Sequence, residues 1–195
     1  MKSILLTAFL LFLTFPRLSE ETLISGEVES GGYGGPVVKF TQFNDDLGVM
    51  VGGEGGWIIN HQFVLGGGGY GMTTRHEISI DDEEYNIDMG YGGGLVRYII
   101  KSDDIVHYDI STMFAGGGVN ISKEAPGDDI GTTSIETDEF FVLDPSVHVV
   151  INFTEWFRLG FGMGYRQTFG YESEYLEESK LNGAHAAITF KFGEF

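Results

Sequence analysis

The stretch IVHYDISTMF, residues 105–114, alternates between two kinds of side chain. One face is apolar apart from Thr112 and consists of Val106, Tyr108, Ile110 and Phe114. The other face consists of His107, Asp109, Ser111 and Met113. Side chains of a β-strand point alternately to opposite sides, so a period of two that separates apolar from polar residues indicates a strand. The stretch therefore predicts a strand that lies between two different environments.

A second stretch, residues 156–171, repeats this pattern with charges on the small-residue face. Its apolar positions are Phe157, Leu159, Phe161, Met163 and Tyr165, and the alternate positions carry three glycines together with Arg158 and Arg166. An unpaired charge is costly to bury in an ordinary apolar core. The pattern therefore favours an inverted arrangement, with the apolar face toward lipid and the charged face toward the interior of a β-barrel.

Composition limits the class of protein. The chain has 195 residues, a formal net charge of -18 and no cysteine. We therefore expect one domain without disulfides, thiolate metal ligands or a lipid anchor on cysteine.

Lys2 and the apolar run that follows it predict a signal peptide over residues 1–19, with a periplasmic lead-in over residues 20–32. No later segment has the roughly 18 apolar residues of a membrane helix, so a membrane protein with this sequence must be a barrel.

Eight segments alternate in this way within the predicted barrel domain, residues 33–195. They cover residues 33–43, 47–59, 63–76, 87–100, 105–119, 139–153, 156–171 and 183–195. The connections after the second, fourth and sixth segments are tight, whereas those after the third, fifth and seventh are long and polar. Outer-membrane barrels have short periplasmic turns and longer outer loops. The sequence therefore predicts an all-β fold, an eight-stranded antiparallel up-and-down transmembrane β-barrel.

Charged and polar side chains on the inward face of these strands predict a paired polar core. The cations are Lys39, Arg97, Arg158, Arg166 and Lys191, and the other members are Glu54, His107, Asp109, Asp144 and His148. We call these ten residues the lumen cluster. Its histidines and aspartates permit a hydrogen-bonded cluster or a weak metal site, but catalysis would also need a nucleophile and substrate access. We predict a structural cluster in a largely filled lumen, without catalytic residues, metal or cofactor.

Aromatic residues predict two belts at the membrane interfaces. Trp57, Tyr98, Tyr108 and Trp156 are expected at the periplasmic rim, and Tyr165, Phe169 and Tyr171 toward the outer rim. Amphipathic rings favour the level of the lipid head groups, where one end of the ring is apolar and the other is wet.

The aromatic last strand, AITFKFGEF, completes a resemblance to a known family. With its alternation and loop phase, the chain resembles the small eight-stranded outer-membrane barrels of the OmpA and OmpX type. The resemblance implies a location in the bacterial outer membrane, contact with lipid and lipopolysaccharide, and recognition of Phe192 or Phe195 by the barrel-assembly machinery. The segment GGWIINHQFVLGGGGYG, residues 55–71, also resembles uncharacterised bacterial barrel proteins.

Two other motifs have simple explanations. The run GGGGYG, residues 66–71, lacks the Lys-Ser/Thr ending of a nucleotide-binding loop and is predicted to be a curved strand. The acidic segments 81–84, 128–129 and 172–178 lack the spacing of an EF-hand, so solvated outer loops are favoured over a specific cation site. The net negative charge also argues against nucleic acid as a partner.

The predicted function is envelope structure or surface interaction with an unknown partner through the acidic outer loops, without enzymatic activity. Eight strands leave an interior that side chains fill, which argues against bulk transport. Three alternatives remain open: a soluble secreted, lipocalin-like barrel for a small apolar ligand, an outer-membrane lipid-modifying enzyme that depends on His107 or His148, and a narrow pore.

Overall fold

The computed structural model describes residues 29–80, 83–124, 132–173 and 175–195. The predicted signal peptide and residues 20–28 of the lead-in lie outside these ranges. Within the described ranges, no helix is long and apolar enough to cross a membrane.

The described residues form strand after strand, with one short 3-10 helix at Glu178–Lys180. The strands are β1 (Ser30–Phe43), β2 (Asp46–Ile59), β3 (Phe63–Met72), β4 (His76–Ile80), β5 (Glu83–Ile100), β6 (Val106–Glu124), β7 (Thr132–Asn152), β8 (Phe157–Phe169) and β9 (Gly183–Glu194). The barrel thus begins at Ser30, three residues before the predicted boundary.

Antiparallel pairing closes these strands into a barrel. The sheet runs in the order β3-β2-β1-β9-β8-β7-β6-β5-β4, and an additional pairing of β3 with β5 joins its ends. Both β3 and β4 pair with β5, through Gly71 with Gly90 and His76 with Ile87, so they are two segments of one wall strand. The predicted eight-stranded antiparallel barrel is confirmed.

Burial alternates along β6 as the opening stretch predicts. Tyr108, Ile110 and Phe114 are more than half exposed, whereas His107 and Asp109 on the opposite face are almost completely buried. Because the sheet closes on itself, the inward side chains of β6 are shielded from solvent, whereas most of the outward ones remain on the surface. The outside of this barrel is therefore apolar and its middle is charged.

The two ends of the barrel differ. The first residues of β1 and the last of β9 lie beside each other, through Gly32 and Glu194, at the end that carries the tight turns at residues 60–62, 101–105 and 153–156. Asn60, His61 and Lys101 in these turns adopt positive φ angles, which short hairpins require. We call this the terminal end and the opposite one the distal end.

The predicted polar interval at residues 120–138 was largely wrong as a loop. β6 continues to Glu124 and β7 already begins at Thr132, while residues 125–131 are outside the described ranges. Glu83 and Glu84 likewise open β5 rather than belonging to a loop. β7 pairs with β8 only from Phe141 onward, and β5 pairs with β3 only from Gly90 onward, so the parts of these strands beyond those residues extend past the wall. We call this part the projecting sheet; it consists of β4 and of residues 83–89, 119–124 and 132–140. The outward positions of these segments, such as Asp88 and Glu139, are polar, so apolar alternation did not mark them as strands.

The interior is packed in layers. Near the distal end, an apolar layer includes Phe43, Met50, Ile121, Phe140 and Leu181. The charged side chains occupy the middle, and a small apolar cluster of Tyr33, Ile58, Val64 and Ile99 closes the terminal end with Phe195 packed against it. A cavity of about 10 Å³ remains among the charged residues, which is room for about one water molecule. Among the described residues, the interior is therefore charged in its middle layer and apolar toward both ends.

Candidate functional site

Oppositely charged side chains meet in the middle layer of the barrel. Lys39 Nζ lies 2.6 Å from Asp144 Oδ2, and Arg97 Nη2 lies 2.7 Å from Glu54 Oε1. Lys191 donates a hydrogen bond to Asp109, whose Oδ2 also lies 3.5 Å from Arg97 Nε. Each of the three carboxylates therefore has a cationic partner, which offsets the cost of removing these charges from water.

Asp144 accepts hydrogen bonds from three elements of the wall. Besides Lys39 on β1, Tyr91 Oη donates at 2.8 Å from β5, and His185 Nε2 lies 2.6 Å from Oδ1 on β9. The Lys39 ammonium also lies 3.8 Å from the centre of the Tyr70 ring, a cation–π distance. One aspartate therefore joins side chains from strands on opposite sides of the barrel.

Glu54 is the second centre of this network. Tyr70 Oη donates to its Oε2 at 3.1 Å and Tyr33 Oη to its Oε1 at 3.3 Å, and Arg97 also donates to the Tyr33 hydroxyl. The sequence interpretation missed Tyr33, Tyr70, Tyr91 and His185 as members of this network. Their inward position in the alternation was a usable signal, but tyrosine also suits an aromatic belt at the membrane interface.

Glycines on β8 make room for the histidines. The His148 ring lies across Gly162, where an added Cβ would come within 2.1 Å of His148 Cδ2. The His185 ring lies across Gly164 in the same way, with Nε2 at 2.6 Å from such a Cβ. The small-residue face of β8 therefore exists because imidazole rings from both neighbouring strands occupy the space above it.

Three members of the lumen cluster lie at its edges. Arg166, near the distal end, donates to the carbonyl of Leu181 at 2.8 Å and to that of Gln42 at 3.1 Å, so it holds the β8–β9 connection to the wall. Arg158 is only partly buried, and its guanidinium lies 4.0 Å from the centre of the Phe195 ring. His107 Nε2 is 3.7 Å from Asp109 Oδ1, which is beyond hydrogen-bond distance.

Six of the seven predicted interface aromatics lie on the outside of the barrel: Trp57, Tyr98, Tyr108, Trp156, Tyr165 and Phe169. Tyr171 is an error of the sequence interpretation, because it is buried and packs edge to face against Phe140. β8 ends at Phe169, and Gly170 with φ of 82° then turns the chain. The alternation ends at that turn, and Tyr171 points into the distal apolar layer instead of toward lipid.

The two candidate assembly residues have different surroundings. Phe192 is exposed and stacks on Phe157 at 5.0 Å between ring centres, with Trp156 stacked at 6.1 Å. Phe195 turns toward the interior and stacks on Tyr33 at 6.1 Å. Only Phe192 is therefore presented on the outer surface, and its role in recognition by the assembly machinery remains a prediction.

The arrangement is suited to holding strands together. Within the described ranges, the Nδ1 atoms of His107, His148 and His185 have no hydrogen-bond partner. None of these atoms is therefore paired with a serine hydroxyl, as a histidine that activates a serine nucleophile would be. No group of three or more His, Asp or Glu side chains in the described part of the chain is placed to hold a metal ion. What the geometry provides is a set of ion pairs that cross the barrel.

Comparison with known proteins gives the class of fold. No protein-family model matches the chain, and no curated protein matches it in sequence. Among solved structures, Neisserial surface protein A is similar with a TM-score of 0.58 and 9% identity, covering 87% of this chain and 99% of that one. The attachment invasion locus protein Ail of Yersinia pestis is similar with a TM-score of 0.51 and 11% identity, covering 86% of this chain and 99% of that one.

These likenesses are likenesses of fold. The chain has the fold of the small eight-stranded barrels of the outer-membrane type, as its resemblance to that class predicted. The predicted location in the bacterial outer membrane agrees with that fold.

Proposed function

We propose that this chain is an integral outer-membrane barrel with a closed lumen that acts at the cell surface through its projecting sheet. The observation that carries the proposal is the inverted distribution of side chains. Large apolar residues such as Phe114, Phe141 and Met163 are more than half exposed, while Arg97 and Asp109 are almost completely buried. This distribution is stable when hydrocarbon surrounds the barrel. In water, the many large apolar side chains on its outer surface would stay exposed to the solvent, which is unfavourable.

Membrane fractionation and gel electrophoresis test the membrane part of the proposal. We expect the protein in the outer-membrane fraction and a heat-dependent mobility shift, because a closed barrel resists detergent until it is boiled. Recovery as a soluble protein without a shift would favour a secreted, ligand-binding barrel instead.

The packed interior supports a closed lumen. The ion pairs of Lys39, Arg97 and Lys191 occupy the middle layer, and a cavity among these described side chains has room for about one water molecule. We expect the purified protein to leave the conductance of a planar lipid bilayer at its baseline. Stable conductance steps from folded protein would instead favour the narrow pore.

The projecting sheet supports a role in surface interaction. β4 pairs with β5 alone, and the part of β7 before Phe141 pairs with β6 alone within the described ranges. An open strand edge presents backbone donors and acceptors to which another extended chain can add. Glu84, Asp88 and Glu139 are exposed along the same sheet, which favours a basic peptide as the partner.

Reversal of charge tests this part of the proposal. The variant Glu84→Lys/Asp88→Lys/Glu139→Lys is expected to weaken binding of a lysine-rich extended peptide, and added salt is expected to weaken binding to the natural sequence. The matched control is Glu155→Lys, an exposed change in a turn at the terminal end. Equal peptide binding by the triple variant and the control would overturn the proposed partner chemistry.

A further inference from the structure

A small cavity lies among the charged side chains in the middle layer of the barrel. It encloses about 10 Å³, which is close to the space that one water molecule needs. Its lining includes Ala187 and Thr189 on β9, together with His148 on β7 and His185 on β9. Ala187 lies opposite Gly162 on β8, so two small residues leave this space between larger side chains.

Three of the lining residues have a buried polar atom that lacks a hydrogen-bond partner in the described part of the chain. These atoms are Thr189 Oγ1, His148 Nδ1 and His185 Nδ1. The three residues are 1%, 6% and 5% exposed, respectively. Buried polar atoms in proteins usually have a partner, which is either another protein group or an ordered water molecule. A ligand in this cavity therefore meets polar atoms that the protein itself leaves unsatisfied.

The pairing of the strands explains why the wall supplies no partner for Thr189. Its neighbours across the sheet are Val37 on β1 and Gly160 on β8, and neither has a polar side-chain atom. Each of the two histidines likewise has a glycine as its neighbour on β8. A partner for these atoms is therefore expected inside the cavity rather than on the adjacent strand β8.

The size and charge of the cavity select its ligand. The volume limits the occupant to one water molecule or one monatomic ion. The carboxylates of Glu54 and Asp144 line the cavity, but they are already paired with cationic side chains and leave no net charge to attract an ion. A hydroxyl group and an imidazole ring can each donate or accept a hydrogen bond. A water molecule can do both, whereas an ion meets only one of these roles.

We propose that this cavity binds one water molecule, which is hydrogen-bonded to Thr189 Oγ1 and to the Nδ1 atoms of His148 and His185. Buried waters in proteins make about three hydrogen bonds, which matches the atoms available here. His185 Nε2 also lies 2.6 Å from Asp144 Oδ1, so the water extends the Asp144 network to His148. The site goes beyond the proposed function, because it depends on the closed interior and not on what surrounds the barrel.

A crystal structure of the barrel purified in detergent tests the site directly. We expect one ordered water within about 3.2 Å of at least two of the three atoms. A cavity without electron density would overturn the proposal, as would a water that bonds only one of these atoms. Barrel refolded in rubidium or bromide salts provides the check for an ion. An anomalous scattering peak in the cavity would show that an ion, and not water, occupies the site.

The unfolding equilibrium gives a second test, in which a bound and an unpartnered hydroxyl have opposite effects. Thr189→Val removes the hydroxyl and keeps the shape of the side chain. Loss of a hydroxyl that binds the water is expected to raise the equilibrium constant for unfolding by urea in detergent about fivefold. Loss of an unsatisfied hydroxyl would instead leave the constant unchanged or lower it.

Thr112→Val is the matched control for this substitution. Thr112 lies at an outward position of β6, and valine suits a strand at least as well as threonine, so no rise in the constant is expected there. An unchanged or lower constant for Thr189→Val would overturn the proposed water site. An equal rise in both variants would also overturn it, because the effect would then belong to the strand and not to the cavity.

Discussion

Lys39 on β1 and Asp144 on β7 lie 105 residues apart in the sequence, and their side chains meet at 2.6 Å inside the barrel. β9 and β8 stand between these two strands in the wall. The ion pair therefore spans the interior, and it forms only when the sheet has closed.

Removing the charge of Asp144 is expected to destabilise the folded barrel. Asp144→Asn leaves Lys39 buried without its anionic partner, and breaking a buried pair in this way costs about 3–5 kcal/mol. Urea unfolding in detergent micelles, followed by tryptophan fluorescence, measures the change. Glu155→Gln, in an exposed turn, is the control and is expected to stay within about 0.5 kcal/mol of the natural protein.

A paired replacement separates a missing partner from a general packing defect. Lys39→Met/Asp144→Leu removes both charges and is expected to recover a large part of the stability lost in Asp144→Asn, because no charge is left buried alone. If the double variant is less stable than the single one, hydrogen bonds of Asp144 to Tyr91 and His185 contribute more than the pair with Lys39.

Adding a methyl group at Gly162 is expected to displace the His148 ring. An added Cβ would come within 2.1 Å of the ring, and overpacking of this kind costs about 1–3 kcal/mol. Gly94→Ala is the matched control, since an added Cβ there meets nothing within 4 Å. The same urea unfolding measurement applies to both variants.

Truncation of the histidine is the check on that mechanism. His148→Ala in the background of Gly162→Ala removes the clashing ring, so Gly162→Ala is expected to be less harmful there than in the natural sequence. An unchanged effect of Gly162→Ala would mean that the backbone of β8, and not the ring, needs glycine.

The two tryptophans are expected to report one membrane interface. Trp57 and Trp156 are both exposed and lie near the terminal end. In vesicles that contain spin-labelled phospholipid, a label near the head group is expected to quench their fluorescence more strongly than a label near the end of the acyl chain. Trp57→Phe and Trp156→Phe resolve the two contributions, and stronger quenching by the deep label would place this end within the hydrocarbon.

The exposed connection between β8 and β9 carries a pH-sensitive contact. The hydrogen bond from Lys180 to Asp45 raises the pKa of the Lys180 ammonium above its ordinary value, with the charge of Asp45 as the second cause. A raised lysine pKa means that the contact contributes fully below the ordinary lysine pKa and is lost as the pH rises through the folded pKa. NMR titration of the Lys180 side chain is expected to show the raised pKa at low salt, and Asp45→Asn is expected to return it toward the ordinary value.

Salt provides the second check on Lys180. Because the ammonium is exposed, added salt is expected to reduce the shift of its pKa. A shift that is insensitive both to salt and to Asp45→Asn would indicate a different partner.

The sequence by itself determined the local properties of each wall strand. A strand places alternate side chains on opposite faces whatever its neighbours are, so the pattern around His107 and Asp109 already indicated which residues point inward. Nine of the ten residues in the lumen cluster are buried and Arg158 is partly buried, in line with that alternation. The turns of the terminal end could also be predicted, since short polar segments interrupt strong apolar alternation there.

Only the tertiary structure decided which side chains meet. Contacts such as Lys39 with Asp144 depend on the register of every intervening strand and on closure, and neither is a local property of the chain. The error at Tyr171 has a local cause, since the turn at Gly170 ends the alternation of β8. The error at residues 120–138 arose because β6 continues to Glu124 and β7 begins at Thr132 through polar sequence that carries no apolar alternation. Ala184 and Ala186 on β9 lie beside Phe40, Met163 and Tyr165 only because of the register of β9 with β1 and β8.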